Sequence, residues 1–277
     1  MKHNRKARIA VTFDDARDIS GTVKNILIPY RIPATFYAVT AWSESGRSPA
    51  FRCFDTDVLR ALHEHPLFEV ASHSDTHTNG FADIAIGSFK LRYLLGTAES
   101  VGFCSPGGRW KKREIQRNRD FLTRSGISYV QTAYTPRTPV RKLAALAAGL
   151  NRSKRLFCMA NSPALHVGQA DILYAVTVEP RYSPQQLCAL TDLAVRRGAD
   201  CVFSFHTVTK EPASAEEWPE RDFLRFCIHL VRLRRAGKIQ LCTAGQMSLS
   251  AGQRIDAQCV QNRAPDGIPR GGEQCSR

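Results

Sequence analysis

The sequence contains no C-x-x-C pair, no apolar run approaching the length of a membrane span, no internal repeat of fixed period and no tandem basic or nucleic-acid-binding motif. Each absence removes a class. Nine cysteines, an odd number scattered between Cys53 and Cys275 and set in apolar runs such as Cys201-Val202-Phe203, describe buried thiols in a reducing compartment. They do not describe a disulfide framework or a cysteine zinc site. A spanning helix needs about 20 consecutive apolar residues, and no segment offers them. Behind the basic start Met1-Lys-His-Asn-Arg-Lys the apolar run stops at Asp14, too short for a signal-peptide core. The expected location is the cytoplasm, at most in contact with a membrane surface. A start placed too far downstream, hiding a leader, is the alternative.

Acidic residues are also few relative to basic ones: 25 Asp and Glu against 39 Lys and Arg give a net charge of +14. The excess is spread over residues 8–60, 111–124, 137–155 and 232–238. That distribution reads first as a solvated basic surface and second as attraction to an anionic lipid, glycan or nucleotide-bearing substrate. Nucleic acid itself is not expected, and no oligomeric state is indicated. With 277 residues the chain can bury a full core in one domain. Residues 1–249 are expected to form it. From 250 to 277 the Gly, Pro, Gln and Arg content rises and periodicity fails, which predicts a disordered tail.

What is present begins with Arg8-Ile9-Ala10-Val11-Thr12-Phe13-Asp14-Asp15-Ala16, a β-branched apolar run that ends in two adjacent carboxylates. It reads as a buried strand delivering charge to a site, and the mutual repulsion of the aspartates calls for a cation. Helices are predicted over 20–31, 55–65 with Asp55 as N-cap, 86–100, 112–125, 140–150, 184–197 and 222–235. Strands are predicted over 34–39, 68–71, 101–104, 129–134, 172–178, 201–206 and 238–243. Alternation of this kind predicts an α/β fold, a (β/α) barrel of seven or eight parallel strands. In such barrels chemistry sits at the carboxyl ends of strands, where Asp14, Asp15, His73, His77, the Pro106-Gly107-Gly108 turn and His206 all fall.

One aspartate and two histidines suit a zinc-like ion and leave a position open for water. His73 and His77 alone fit a solvated or helix-capping pair better than a metal site; joined to a strand-terminal Asp-Asp they point to a metal. Spacing fits either aspartate as the ligand, with the other free for proton transfer, and His206 fits a proton donor or a satisfied core histidine.

Thr12-Phe13-Asp14-Asp15, Ala34-Thr35-Phe36-Tyr37 and the run from Glu69 through Ser72-His73-Ser74-Asp75-Thr76-His77 resemble the polysaccharide deacetylases with the NodB-homology fold, carbohydrate esterase family 4. Pro106-Gly107-Gly108 and Phe203-Ser204-Phe205-His206 are similar to its later motifs, so the resemblance covers about residues 8–245. It implies a distorted (β/α) barrel of about seven strands that removes acetyl groups from amino sugars with a divalent metal, zinc ahead of cobalt, nickel or manganese. By the same resemblance Asp15, His73 and His77 hold the metal, Asp14 is the general base, His206 the general acid, and the Gly107 N–H an oxyanion donor.

The departures from the family pattern are specific. Ala16 replaces a glycine, Cys104 stands where an arginine beside the base is common, and Gly107 replaces an aromatic wall. The aspartate-and-tryptophan motif that orients the acid is not readable. Arg109 is a candidate for the missing arginine; Asp171, Glu179 and Arg181 are candidates for the missing support. An acylated amino sugar or glycoconjugate, anionic or lipid-linked, is the expected substrate. The alternatives are hydrolysis of a non-carbohydrate amide or cyclic imide, and a silent module that binds an anionic glycan.

Overall fold

The computed structural model describes residues 5–168, 171–214 and 216–248; the predicted tail over 250–277 lies outside them. Seven parallel strands follow one another around a closed barrel: β1 (Ala7–Phe13), β2 (Ala34–Ala38), β3 (Phe68–Ser72), β4 (Val101–Cys104), β5 (Ile127–Ala133), β6 (Ile172–Thr177) and β7 (Cys201–Phe205), which pairs back onto β1. A short pair, β8 (Thr207–Thr209) with β9 (Glu217–Pro219), extends the segment after β7. Finally β10 (Ile239–Leu241) pairs with the first three residues of β1, on the edge whose upper half belongs to β2.

The two-residue period of a strand sorts the side chains. Ile9, Val11 and Phe13 of β1 face outward into an apolar layer with Phe36, Phe203, Phe205, Phe223 and Phe226. Each such fully buried side chain stabilises the fold by about 1.5–3 kcal/mol, so most of the stability resides between barrel and helices. The lumen is different. Ala10, Tyr37, Ala71, Cys104, Tyr129, Leu173, Ala175 and Val202 line it, and Cys242, Ala244 and Met247 pack into the same cluster at its amino end. Through that lumen runs a hydrogen-bonded chain. Gly245 N donates to Glu69 (2.8 Å), as do Thr35 Oγ1 (2.9 Å) and Tyr129 Oη (2.8 Å). Tyr37 Oη reaches Tyr129 and Gln131, and Gln131 Nε2 donates to Thr12 Oγ1 (3.1 Å). Burial without partners would cost a few kcal/mol per group; here the groups satisfy one another.

Expectation and structure differ at several boundaries. The helix predicted over 86–100 runs Phe81–Leu95, because Gly96 adopts φ 64° and its N–H closes the last turn on Arg92 and Tyr93. The helix predicted over 112–125 is two, Lys112–Arg117 and Arg119–Arg124, broken at Asn118. Helices Lys154–Asn161 and Ala244–Ser248, the latter packed at the barrel's amino end, were not predicted. Helix Pro184–Arg197 and the Asp55 cap, which accepts from Val58 N at 2.9 Å, are as expected.

Candidate metal centre and active site

Strand parity carries the lumen-facing set past the carboxyl ends of the barrel. Asp14 continues the row of Ala10 and Thr12, His73 the row of Glu69 and Ala71, Cys104 ends the row of Gly102, and His206 extends the row of Val202 and Ser204. Asp15, of opposite parity, reaches the same space because the backbone turns there: Asp15 and Ala16 take φ of 68° and 45°. Ser74 (φ 68°) and His77 (φ 64°) bend the second segment likewise. Left-handed conformations cost such residues about 1–3 kcal/mol apiece, so surrounding contacts must hold them.

Those contacts are visible. The Asp83 carboxylate accepts from Thr76 N (3.1 Å), Thr76 Oγ1 (2.7 Å) and Thr78 N (3.1 Å), pinning the histidine loop to the first turn of helix Phe81–Leu95. Burial alone would raise the Asp83 carboxyl, but these donors outweigh it and hold it below the ordinary value. Thr40 Oγ1 donates to Asp75 at 2.6 Å. One turn along the same helix, a Cβ on Gly87 would lie 2.3 Å from the Ser74 carbonyl carbon. Only glycine lets the helix come this close beneath the loop.

Asp15, His73 and His77 converge, with one ligand atom from each lying within 4.8 Å of the others. Asp15 Oδ1 is 3.4 Å from His77 Nε2 and 3.6 Å from His73 Nε2. His73 Nδ1 is 2.8 Å from the Cys104 carbonyl, which takes the ring proton there and leaves the Nε2 lone pair directed at the centre. The decisive feature is Asp15 itself. Oδ2 accepts two hydrogen bonds from Arg17, at 3.1 and 2.9 Å, whereas Oδ1 is buried with no hydrogen-bond partner among the described residues. A buried carboxylate oxygen aimed at two imidazole lone pairs is the donor set of a borderline divalent ion, so the residues fit one. Burial pushes the Asp15 carboxyl up, but the charges of His73, His206 and Arg17 more than offset it and keep it low. Burial first, then His73, lowers His77 below the ordinary imidazole value. Both shifts favour the metal-ready forms.

Asp14 is held separately. Ser204 Oγ donates to its Oδ2 at 2.8 Å and Cys104 Sγ lies 3.6 Å from Oδ1. Cys104 also receives Gln131 Nε2 at 3.7 Å, so the lumen chain ends on Asp14. Burial, then Asp14, pushes the Cys104 thiol well up, and it remains a neutral donor. His206 is half-buried and acts electrostatically on Asp15 and His77; among the described residues no side chain hydrogen-bonds its ring. Gly107 (φ 62°) sits exposed in the turn Pro106–Gly108, tied to the histidine loop by Asn79 Nδ2 to Pro106 O (2.9 Å) and Ser105 Oγ to Asn79 (2.9 Å).

The other candidates fall elsewhere. Arg109 is exposed and lies along Gly107; Asp14 is held by Ser204 and Cys104 instead. Asp171 precedes β6 at the amino end of the barrel and pairs with Arg119, so it cannot support groups at the opposite end. Glu179 and Arg181 follow the carboxyl end of β6 and pair with each other at 2.7 Å. Sequence reasoning missed three groups. Arg17 is buried, bridged to Cys53 and also paired with Glu216. Ser204 holds Asp14, and the Trp42 ring packs on His77 with centroids 5.1 Å apart. The parity of Ser204 with His206 was the one available signal.

Residues 2–124, which carry the aspartate pair, the histidine loop and the glycine turn, match the family model described as polysaccharide deacetylase. The stretch through β4 is therefore similar to the polysaccharide deacetylases. Among solved structures the fold is similar to the Bc1960 peptidoglycan N-acetylglucosamine deacetylase, at 13% identity and TM-score 0.50, covering 88% of this chain and 89% of that one. A polysaccharide deacetylase from Bacillus cereus aligns at 16% identity and TM-score 0.36, over 45% of this chain and 39% of that one. A carbohydrate esterase family 4 pseudoenzyme from Bacillus anthracis aligns at 15% identity and TM-score 0.39, over 73% of this chain and 65% of that one. No curated protein matches the sequence.

Proposed function

We propose that this polysaccharide deacetylase homologue is a metal-dependent hydrolase that removes an acyl group, N-acetyl foremost, from an amino sugar or glycoconjugate. The observation that carries the reading is the unpartnered, buried Asp15 Oδ1 facing His73 and His77 Nε2. These three residues would hold a divalent ion, zinc ahead of cobalt, nickel or manganese. When bound, the ion supplies Lewis acidity toward an acyl carbonyl and makes nearby water more acidic. Asp14, oriented by Ser204, takes the proton from the attacking water. His206, at the end of the neighbouring strand β7, returns a proton to the departing nitrogen. The Gly107 N–H donates to the oxyanion that develops at the acyl carbon.

A substrate screen for released acyl groups, run on metal-loaded protein, tests the reading. Acetate from N-acetylated amino sugars supports it. Turnover confined to small cyclic amides or imides moves the substrate out of carbohydrates. Absence of any hydrolysis, with salt-sensitive binding of an anionic glycan, identifies a silent module instead.

A further inference from the structure

Helix Pro139–Asn151 buries one narrow face through Ala144 and Ala148 and leaves another open. Val140, Leu143, Leu146 and Leu150, at i, i+3, i+6 and i+10, share that open face and are 66%, 67%, 53% and 81% exposed. A stripe of this size on a solvated helix marks a contact surface. Its electrostatic setting selects the partner. From residue 121 to 170 the chain has no Asp or Glu, while it carries Arg124, Arg137, Arg141, Lys142, Arg152, Lys154 and Arg155. Among the described residues none of these seven forms an ion pair, and Arg137, Lys142, Arg152, Lys154 and Arg155 are exposed around the stripe. Leucines ringed by uncompensated cations match the interfacial zone of an anionic bilayer: acyl chains below, phosphates at the rim.

Other occupants fit less well. A second copy docked on the same face would set the two basic rims against each other. The chain beyond residue 248 has Arg254, Arg263, Arg270 and Arg277 against Asp256, Asp266 and Glu273, and so offers no complementary charge. A second exposed apolar set, Ile86, Phe89 and Tyr93 on helix Phe81–Leu95, lies among mixed charges that include Asp83 and the Lys90 to Glu44 pair. It shows no such complementarity.

The helix is also placed at the working end of the barrel. It starts after the carboxyl end of β5, its Ala148 carbonyl accepts from Gln186 Nε2 (2.9 Å), and Gly149 lies against Arg181; both partners follow the carboxyl end of β6. We propose that the Val140–Leu150 face docks on an anionic membrane surface, so that the barrel mouth meets substrate carried at the bilayer. The docking stands on geometry and charge alone; the substrate clause rests on the hydrolase reading.

The test is co-sedimentation of the full chain with vesicles free of acylated sugar. Vesicles of phosphatidylcholine alone are compared with vesicles containing equal phosphatidylglycerol, at low and high salt. Binding is expected to the anionic vesicles only and to weaken with salt. The Leu143→Ser/Leu150→Ser variant, whose positions are exposed and leave the core intact, is expected to bind at least tenfold more weakly. Lys142→Gln is expected to bind about fivefold more weakly. Equal binding to neutral vesicles, no binding, or binding unchanged in both variants overturns the proposal. So does a wild-type dimer in solution that the leucine variant converts to monomer. Because no substrate is present, failure here leaves the hydrolase reading intact, and failure of the acyl-release screen leaves docking intact.

Discussion

Single residues divide the labour of the site. Spacing in the sequence fits either aspartate as ligand; in the structure the turned backbone brings Asp15 beside His73 and His77, while Ser204 hydrogen-bonds Asp14. Arg17 is one of the three residues that sequence reasoning did not single out. Its bidentate grip on Asp15 Oδ2 both neutralises a buried carboxylate and directs Oδ1 toward the histidines. Arg17→Gln is therefore expected to weaken divalent-metal affinity about 10–100-fold, read as a rise in Kd by titration calorimetry. Affinity equal to wild type would mean that Arg17 does not orient the ligand. Ser204→Ala should leave the metal Kd unchanged while lowering kcat, since among the described residues its hydroxyl hydrogen-bonds Asp14 alone. An altered Kd with unchanged kcat would contradict that role.

At the scale of elements, strand parity was legible and loop geometry was not. Alternation in β1, β3 and β7 points Asp14, His73 and His206 into one mouth, and apolar runs ending in polar residues announce this in the sequence. The histidine loop is harder to read, because its shape comes from long-range contacts: Asp83 from the next helix, Asn79 to the glycine turn, and close packing under Gly87. Ser204 holds Asp14 and Trp42 flanks His77 from segments distant in sequence, and among the described residues no side chain hydrogen-bonds the His206 ring. Gly87→Ala should push helix Phe81–Leu95 off the loop and destabilise the fold by about 1–3 kcal/mol. Urea unfolding checks this; an unchanged midpoint would mean that the helix accommodates the methyl without moving.

For the whole molecule, the barrel and its strand order followed from alternation of apolar runs and amphipathic helices, whereas the sealing of its floor did not. Helix Ala244–Ser248 is only five residues long, too short for periodicity to register, and packs there through Met247. Near the same floor, His166 is half-buried beside Arg5, Arg8 and Asp200; burial lowers its pKa below the ordinary 6.5, and among the described residues its Nε2 has no hydrogen-bond partner. The unfolded chain then binds more protons than the folded one at mildly acid pH. The stability contributed by neutral His166 is fully present above about 6.5 and declines as pH falls below it. Asp15 and Asp83, also lowered, lose their contribution only near and below about 4. His166→Gln should flatten the urea midpoint between those ranges; an undiminished slope would assign it to His65 or His77, which are lowered as well.

The central claim is that Asp15, His73 and His77 form a divalent-metal site distinct from the proton-transfer group Asp14. Titration of Zn²⁺ into the apo protein, wild type beside Asp14→Asn and His73→Ala, addresses it most directly. One tight site retained in Asp14→Asn and lost in His73→Ala is the predicted result. No saturable binding by the wild type, or binding unaffected by His73→Ala, would contradict it.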